Sequence, residues 1–323
     1  MSEMDSLPSG EPAAVPVVAE TAPKPKSRAG LFFIGAFSGC LLAVVGFLFL
    51  TLIIAAMKGE SSEFVIGDKV AVVPIEGEIL EGRETIDMLH RYAENNMVKA
   101  IVMRIDSPGG AIAPTQEIYE EIQKVHRRTG KPIVASLATV AASGGFYIAT
   151  ACDQIVANPG SITGSIGVIL QWMEIKDLLA WAKMKPETIT SGPLKAAGSP
   201  YLELSEAERA YLQRITLQLH SQFVRAVAAG RKGKMTEAEV IRIADGRVMT
   251  GEEALSLKLI DRLGNLDDAV STAARLAGMR GKPGTLYPKK RKRNVLDLLT
   301  DTSDSKTLID RVISRRAGFL YRW

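Results

Sequence analysis

The longest apolar stretch comes early. Residues 29–57, AGLFFIGAFSGCLLAVVGFLFLTLIIAAM, carry no charge. A helix needs about 20 apolar residues to cross a bilayer core, so this run is long enough to span with some tilt. It is longer than the apolar region of about 7–15 residues in a cleaved signal peptide. It also follows a Pro/Ala/Glu-rich segment that reads as disordered, so the pattern predicts an uncleaved signal-anchor helix. After residue 58 the apolar runs become short and are separated by turn residues. KVAVVPIEG (69–77), AIVMRI (100–105), KPIVASL (131–137), QIVANP (154–159) and PETITS (186–191) predict strands. Residues 83–95, 115–128 and 173–184 predict helices, with Ile118, Ile122 and Val125 on one face of the second. ASGGFYIATAC (142–152) leads small residues into an apolar helix, and GSITGSIGVIL (160–170) is rich in glycine and β-branched residues.

Strands alternating with helices predict an α/β domain with a parallel sheet flanked by helices and joined by right-handed crossovers. Ligand sites in such sheets form at the carboxyl ends of strands. The loop DSPGG (106–110) and the segment entering Ser143 are both expected there. Farther along, Ser205 with Glu208, Thr236 with Glu239 and Thr250 with Glu253 have capping-box spacing and predict helix starts near 206, 237 and 251. Beyond 294, Leu296, Leu299, Leu308 and Val312 suggest short amphipathic pieces. No repeat of fixed period is visible. The expected organisation is a cytoplasmic disordered tail (1–28), the anchor (29–57), a catalytic domain (58–288) and a basic, amphipathic tail (289–323).

Composition and charge refine this picture. At 46% hydrophobic and 24% charged residues the chain is ordinary for a globular protein, which excludes wholesale disorder. A net charge of +4 does not indicate nucleic acid binding. The charge is local: Lys24, Lys26 and Arg28 precede the apolar run, and KKRKR (289–293) lies near the end. Such clusters suit anionic lipid head groups, or are simply solvated charge runs. Lys58 follows the run with Glu60 and Glu63 nearby, so the positive-inside rule puts the N-terminus in the cytoplasm and the rest outside. Cys40 and Cys152 lie in different environments, so no disulfide is expected and the redox compartment stays open. There is no CxxC, and His90, His126 and His220 lie far apart, so neither a metal nor another cofactor is indicated.

Three stretches carry candidate chemistry. In DSPGGA, Gly109 and Gly110 permit conformations closed to other residues just before a helix start. Backbone N–H groups there can form an oxyanion hole, although most such stretches are only turns. In AASGGFY, Ser143 stands at a helix entrance, as an N-cap or as a nucleophile with Gly144 N–H as a second donor. A nucleophilic serine needs a base, and the three histidines sit away from the glycine loops. In SGPLKAAGSP (191–200), Lys195 has no acidic neighbour. A lysine acts as a base only when neutral, and lowering its pKa by about three units costs on the order of 4 kcal/mol. A charge-poor surround helps and a carboxylate would oppose it. Alone, Lys195 reads first as a solvated loop lysine, ahead of a general base.

Taken together, IDSPGG, ASGGFYIA, ANPGSITGSIGV and SGPLKAAGSP, in this order and at these intervals, resemble the signal peptide peptidase A family of membrane-anchored Ser-Lys proteases. They are similar, more distantly, to the Clp protease and crotonase superfamily. The resemblance covers about residues 68 to 275. It implies Ser143 as nucleophile, Lys195 as general base and Ser165 as the residue orienting that lysine. It also implies Gly110 and Gly144 as oxyanion donors, with Gly109 beside Gly110 as a further candidate. The family's lysine stretch commonly holds a further polar residue; here Pro193-Leu194 and Ala196-Ala197 flank Lys195. The resemblance further implies a cell-membrane enzyme that degrades remnant signal peptides as a homo-oligomeric ring. An apolar groove with Val168, Ile169 and Leu170 on one edge would pair with extended peptide, although GVIL reads equally as a buried core strand. Two rival readings remain: a crotonase-type acyl-CoA enzyme and a non-catalytic ring scaffold.

Overall fold

A computed structural model describes residues 44–51 and 67–288, and the backbone of 318–322. The chain separates into two units, Met1–Phe64 and Val65–Trp323. In the first, residues 44–51 are helical and exposed. The other positions of the expected anchor, its flanking charges, Cys40, KKRKR and the expected amphipathic pieces lie outside the described residues. Among the described residues no helix is long and apolar enough to cross a membrane.

The second unit is built on an α/β sheet. Its first elements are β1 (Lys69–Glu76), α1 (Arg83–Glu94), β2 (Val98–Ser107), β3 (Gly109–Ala111), α2 (Ile112–Thr129) and β4 (Ile133–Ala142). They are followed by α3 (Gly144–Ala149), β5 (Gln154–Ala157), β6 (Ile162–Gly164), β7 (Ile169–Gln171) and α4 (Lys176–Trp181). Next come α5 (Glu206–Gly230), α6 (Glu237–Ile243), β8 (Val248–Thr250), α7 (Gly251–Ser256) and β9 (Arg262–Leu263). The last are α8 (Leu266–Leu276), β10 (Gly284–Leu286) and β11 (Gly318–Arg322).

The main sheet runs β10-β1-β2-β4-β5-β9, every pair parallel. Strand β6 pairs parallel with the end of β4 and carries β8 antiparallel on its other side. The apolar runs are continuous because both faces of the sheet are covered. Val70, Val72, Ala100 and Val102 meet Ala269, Val270 and Ala273 of α8. The alternate residues, among them Ala71, Val73, Ile101, Met103 and Ile105, pack in a larger core with residues of α1, α2, α3 and α5. Small residues on α8 let the helix approach a valine-rich face closely. On the other face, burial of each large aliphatic side chain contributes about 1.5–3 kcal/mol.

Some expectations change. DSPGG is not a plain loop: β2 runs through Ser107 and Gly109–Ala111 is itself a strand. Ile79 explains this, because its N–H donates to Gly109 O at 2.9 Å and its carbonyl accepts from Ala111 N–H at 2.8 Å. PETITS (186–191) forms no strand and is exposed throughout. Its β-branched composition favours strand, but no strand lies alongside to pair with it. Helices begin after Ser205, Thr236 and Thr250 as expected, with complete capping boxes at the first two. At Thr250 the side chain accepts from Glu253 N–H at 3.2 Å. A further box, Asn265 with Asp268, starts α8.

Candidate active site

Ser143 sits between the carboxyl end of β4 and the start of α3. Its φ of 52° and ψ of −117° are strained for a residue with a Cβ. The ends of that turn are fixed: Ser143 N–H donates to Gly164 O at 2.9 Å, and Tyr147 N–H donates to Ser143 O at 2.8 Å. Ser143 occupies the N-cap position of α3, as expected, but its side chain makes no cap hydrogen bond. Its Oγ is buried and has no hydrogen-bond partner. An unpaired buried hydroxyl costs on the order of 1–3 kcal/mol and is retained where something outside the fold requires it.

Gly109 and Gly110 lie against Ser143's neighbour. A Cβ on Gly144 would stand 3.2 Å from Gly109 Cα, 3.3 Å from Gly110 N and 2.9 Å from Thr115 Oγ1. A Cβ on Gly110 would stand 2.2 Å from Ile79 O, a backbone atom, so only glycine fits. Gly109 has a φ of 101°, open to glycine at no steric cost. Ser107 Oγ holds this turn by accepting from Gly109 N–H at 3.1 Å. Asp106 ties it to β4 by accepting from Val140 N–H at 3.1 Å.

Ser165 is buried and follows directly on Gly164, the residue that accepts from Ser143. Its φ is 50° and its N–H donates to Arg247 O at 2.8 Å. The pairing of β4 with β6, which sets Ala142 opposite Gly164, therefore brings Ser143 and Ser165 together. Lys195 is not brought into this cluster. It lies exposed in the turn-rich segment 191–200. Ser143 Oγ is unpartnered, so Lys195 makes no hydrogen bond to it. The histidines are engaged elsewhere: His90 Nε2 with Glu121 at 2.9 Å, His126 Nδ1 with Lys131 O at 3.1 Å and His220 Nε2 with Ala244 O at 2.9 Å. Among the described residues no group of acidic, histidine or cysteine side chains is arranged to hold a metal.

GVIL is not a core strand. Val168 packs partly against the core, while Ile169 is exposed and Leu170 half-buried in β7. Strand β7 belongs to a separate three-stranded sheet, β3-β11-β7.

Sequence reasoning missed what holds α3 in place. Tyr147 meets Tyr119 edge-on at 5.0 Å between centroids and Phe223 at 5.0 Å. This anchors the helix that follows Ser143 to α2 and α5. Burial, then Tyr147 and Glu120, push the Tyr119 phenol up to about 12, and burial raises Tyr147 as well. Both rings stay neutral and act as packing groups. Burial likewise pushes the Cys152 thiol upward, which makes it an inert core residue.

The family described as Peptidase family S49 matches residues 125–280, and the one described as NfeD1b, N-terminal domain, matches residues 69–178. A candidate protease of Synechocystis sp. is 41% identical over 212 residues, covering 65% of this chain and 75% of that protein. Protease 4 of Salmonella typhi is 33% identical over 245 residues, covering 73% of this chain and 39% of that protein. A candidate signal peptide peptidase SppA of Enterococcus faecium is 34% identical over 187 residues, covering 58% of this chain and 54% of that protein. The chain thus spans three quarters of the first relative and less than two thirds of the other two.

Proposed function

The chain belongs to peptidase family S49 and is a serine protease, and we propose that Ser143 is its nucleophile and Lys195 its general base, oriented by Ser165. Ser143 Oγ attacks a peptide carbonyl while the neutral Lys195 amine takes its proton. The tetrahedral oxyanion rests on the N–H groups of Gly110 and Gly144, with Gly109 shaping the turn. Collapse breaks the C–N bond, and Lys195 returns the proton to the leaving amine. Lys195 then activates a water that hydrolyses the acyl-enzyme. The observation that carries this reading is the Ser143 hydroxyl, unpartnered on a strained turn beside two glycine amides.

Lys195 must still be delivered to Ser143. The segment around it exposes Met173 (76%), Trp181 (81%) and Ile189 (100%). Apolar surface of this kind suits coverage by another copy of the chain, so we assign Lys195 to the Ser143 of a neighbouring copy in a homo-oligomeric ring. The substrates are unstructured apolar peptides, remnant signal peptides foremost. They lie extended against β7, at Val168, Ile169 and Leu170. The segment 29–57 anchors the enzyme in the lipid bilayer, with residues 58–288 as the catalytic domain outside the cell membrane.

The test is hydrolysis of an apolar reporter peptide by the full chain in detergent. Ser143→Ala and Lys195→Ala each abolish turnover. Mixing the two inactive variants restores part of it, because one copy supplies the serine and its neighbour the lysine. Full activity in either single variant overturns the dyad. A mixture that stays inactive, although the variants co-assemble, overturns the shared site.

A further inference from the structure

Most backbone polar groups of β3 have partners along one edge. Gly109 N–H donates to Ser107 Oγ at 3.1 Å, and Gly109 O accepts from Ile79 N–H at 2.9 Å. Ala111 N–H donates to Ile79 O at 2.8 Å, and Ala111 O accepts from Thr115 Oγ1 at 2.8 Å. Neighbouring residues of a strand aim their N–H and C=O at opposite edges. The Gly110 groups therefore face the other edge, away from Ile79. An oxyanion on that edge meets Gly110 N–H, while Gly109 N–H is held by Ser107 and drops out as a donor.

The same two hydroxyl residues lie under α3. Ser107 and Thr115 are both fully buried. A Cβ on Gly145 would stand 2.9 Å from Ser107 O and 3.5 Å from Ser107 Cβ. One on Gly144 would stand 2.9 Å from Thr115 Oγ1 and 3.3 Å from Gly110 N. Glycine at both positions thus lets the first turn of α3 rest directly on Ser107 and Thr115. Each of the pair grips β3 by a hydrogen bond and supports α3 by contact, one at either end of the strand. A threonine hydroxyl bonded four residues back is a common local contact in helices. Thr115 differs in that its oxygen is buried against the glycine that follows the nucleophile.

We propose that Ser107 and Thr115 are positioning residues that clamp the oxyanion hole, fixing the Gly110 and Gly144 amides relative to each other. The inference rests on the protease reading for what those amides bind. Both residues act through the amides rather than on the reacting atoms. Preorganised donors stabilise developing charge without rearranging at the moment of reaction. A loosened clamp therefore weakens transition-state binding more than substrate binding.

The experiment compares Ser107→Ala, Thr115→Val and Thr115→Ser with wild type in the full chain. Reporter-peptide kcat is expected to fall about 10–10²-fold in Ser107→Ala and Thr115→Val, the cost of donors displaced rather than removed. KM stays within about twofold, the mark of an interaction made in the transition state. Thr115→Ser keeps the oxygen and recovers most of kcat. A peptide boronic acid, which forms a tetrahedral adduct on a serine oxygen, binds more weakly by the same factor as kcat. The same peptide ending in an unreactive carboxamide binds as to wild type. Hydrogen exchange at Gly109 quickens about tenfold in Ser107→Ala. A merely structural role would lower the melting temperature and weaken both ligands alike, and that result overturns the proposal. Wild-type kcat and boronate affinity in folded Ser107→Ala and Thr115→Val overturn it as well. If the wild type neither cleaves nor binds the boronate, the protease reading falls. The clamp is then decided by Gly109 exchange: quickened exchange in Ser107→Ala upholds its geometry, and unchanged exchange overturns it.

Discussion

The Ser143 amide donates to the Gly164 carbonyl across 2.9 Å, and Ser165 is the next residue along. Two serines from distant parts of the chain are thus locked by one backbone bond, each at a positive φ, 52° and 50°. A non-glycine residue held there costs about 1–3 kcal/mol. Such strain persists only when the surroundings impose it. Here β6 imposes it, between β4 and β8.

If Ser165 orients Lys195 as proposed, strain and function are separable at this position. Ser165→Ala removes the hydroxyl and keeps the Cβ; Ser165→Gly removes both and relaxes the backbone. Both variants are expected to lose about 10²-fold in kcat, the lower range for weakened acid–base catalysis, with KM nearly unchanged. Ser165→Gly should melt above Ser165→Ala. A purely structural role would instead lower kcat in step with the melting temperature, and so less in Ser165→Gly than in Ser165→Ala.

Gly110→Ala tests the oxyanion strand. The new Cβ would meet Ile79 O at 2.2 Å and Ile79 N at 2.6 Å. Both are backbone atoms in a bridge, so β3 itself must move. Loss of one oxyanion donor costs about 10²–10³-fold in kcat, and displacement of β3 adds a lower melting temperature. Steady-state kinetics beside circular dichroism check this. Wild-type kcat in a folded Gly110→Ala protein would remove Gly110 from the site.

The sequence made the central strands legible and left the short ones hidden, for one reason. Strands β1, β2, β4 and β5 are covered on both faces, so each appears as an unbroken apolar run. Strands β3 and β6–β10 have two or three residues, too few for any period to show. Their existence depends on what lies alongside: Ile79 for β3, β4 and β8 for β6, β5 for β9. PETITS shows the converse, strand-like composition with nothing to pair against. In the site, the glycine turn and Ser143 were visible as local motifs. The tie between Ser143 and Gly164 was not, because it depends on β6 pairing with β4. Lys195 stood out through its lack of charged neighbours, yet its own stretch does not encode what covers it.

A final prediction concerns the buried ion pair beneath α5 and α7. Arg231 is almost fully buried; it donates from Nη1 and Nη2 to Asp261 at 3.0 and 2.9 Å and from Nε to Lys258 O at 2.9 Å. Lys234 also bonds Asp261, and Ile155 N–H donates to it at 2.7 Å. Burial alone would raise the Asp261 carboxyl, but the hydrogen bonds from Arg231 and Lys234 outweigh it and hold the group below its usual range. A carboxylate depressed in the folded state contributes stability that is fully present above its unfolded pKa, near about 3.9, and is lost as pH falls through the folded value. Asp261→Asn keeps the shape but leaves Arg231 as a buried charge with no counter-ion, which costs about 3–5 kcal/mol. Urea denaturation at neutral pH should show that gap between wild type and variant. The gap should narrow as pH is lowered below about 4, because the unfolded chain then binds a proton at Asp261 that the folded carboxylate resists. A gap that stays constant across this range would mean that the Asp261 charge is not what secures Arg231.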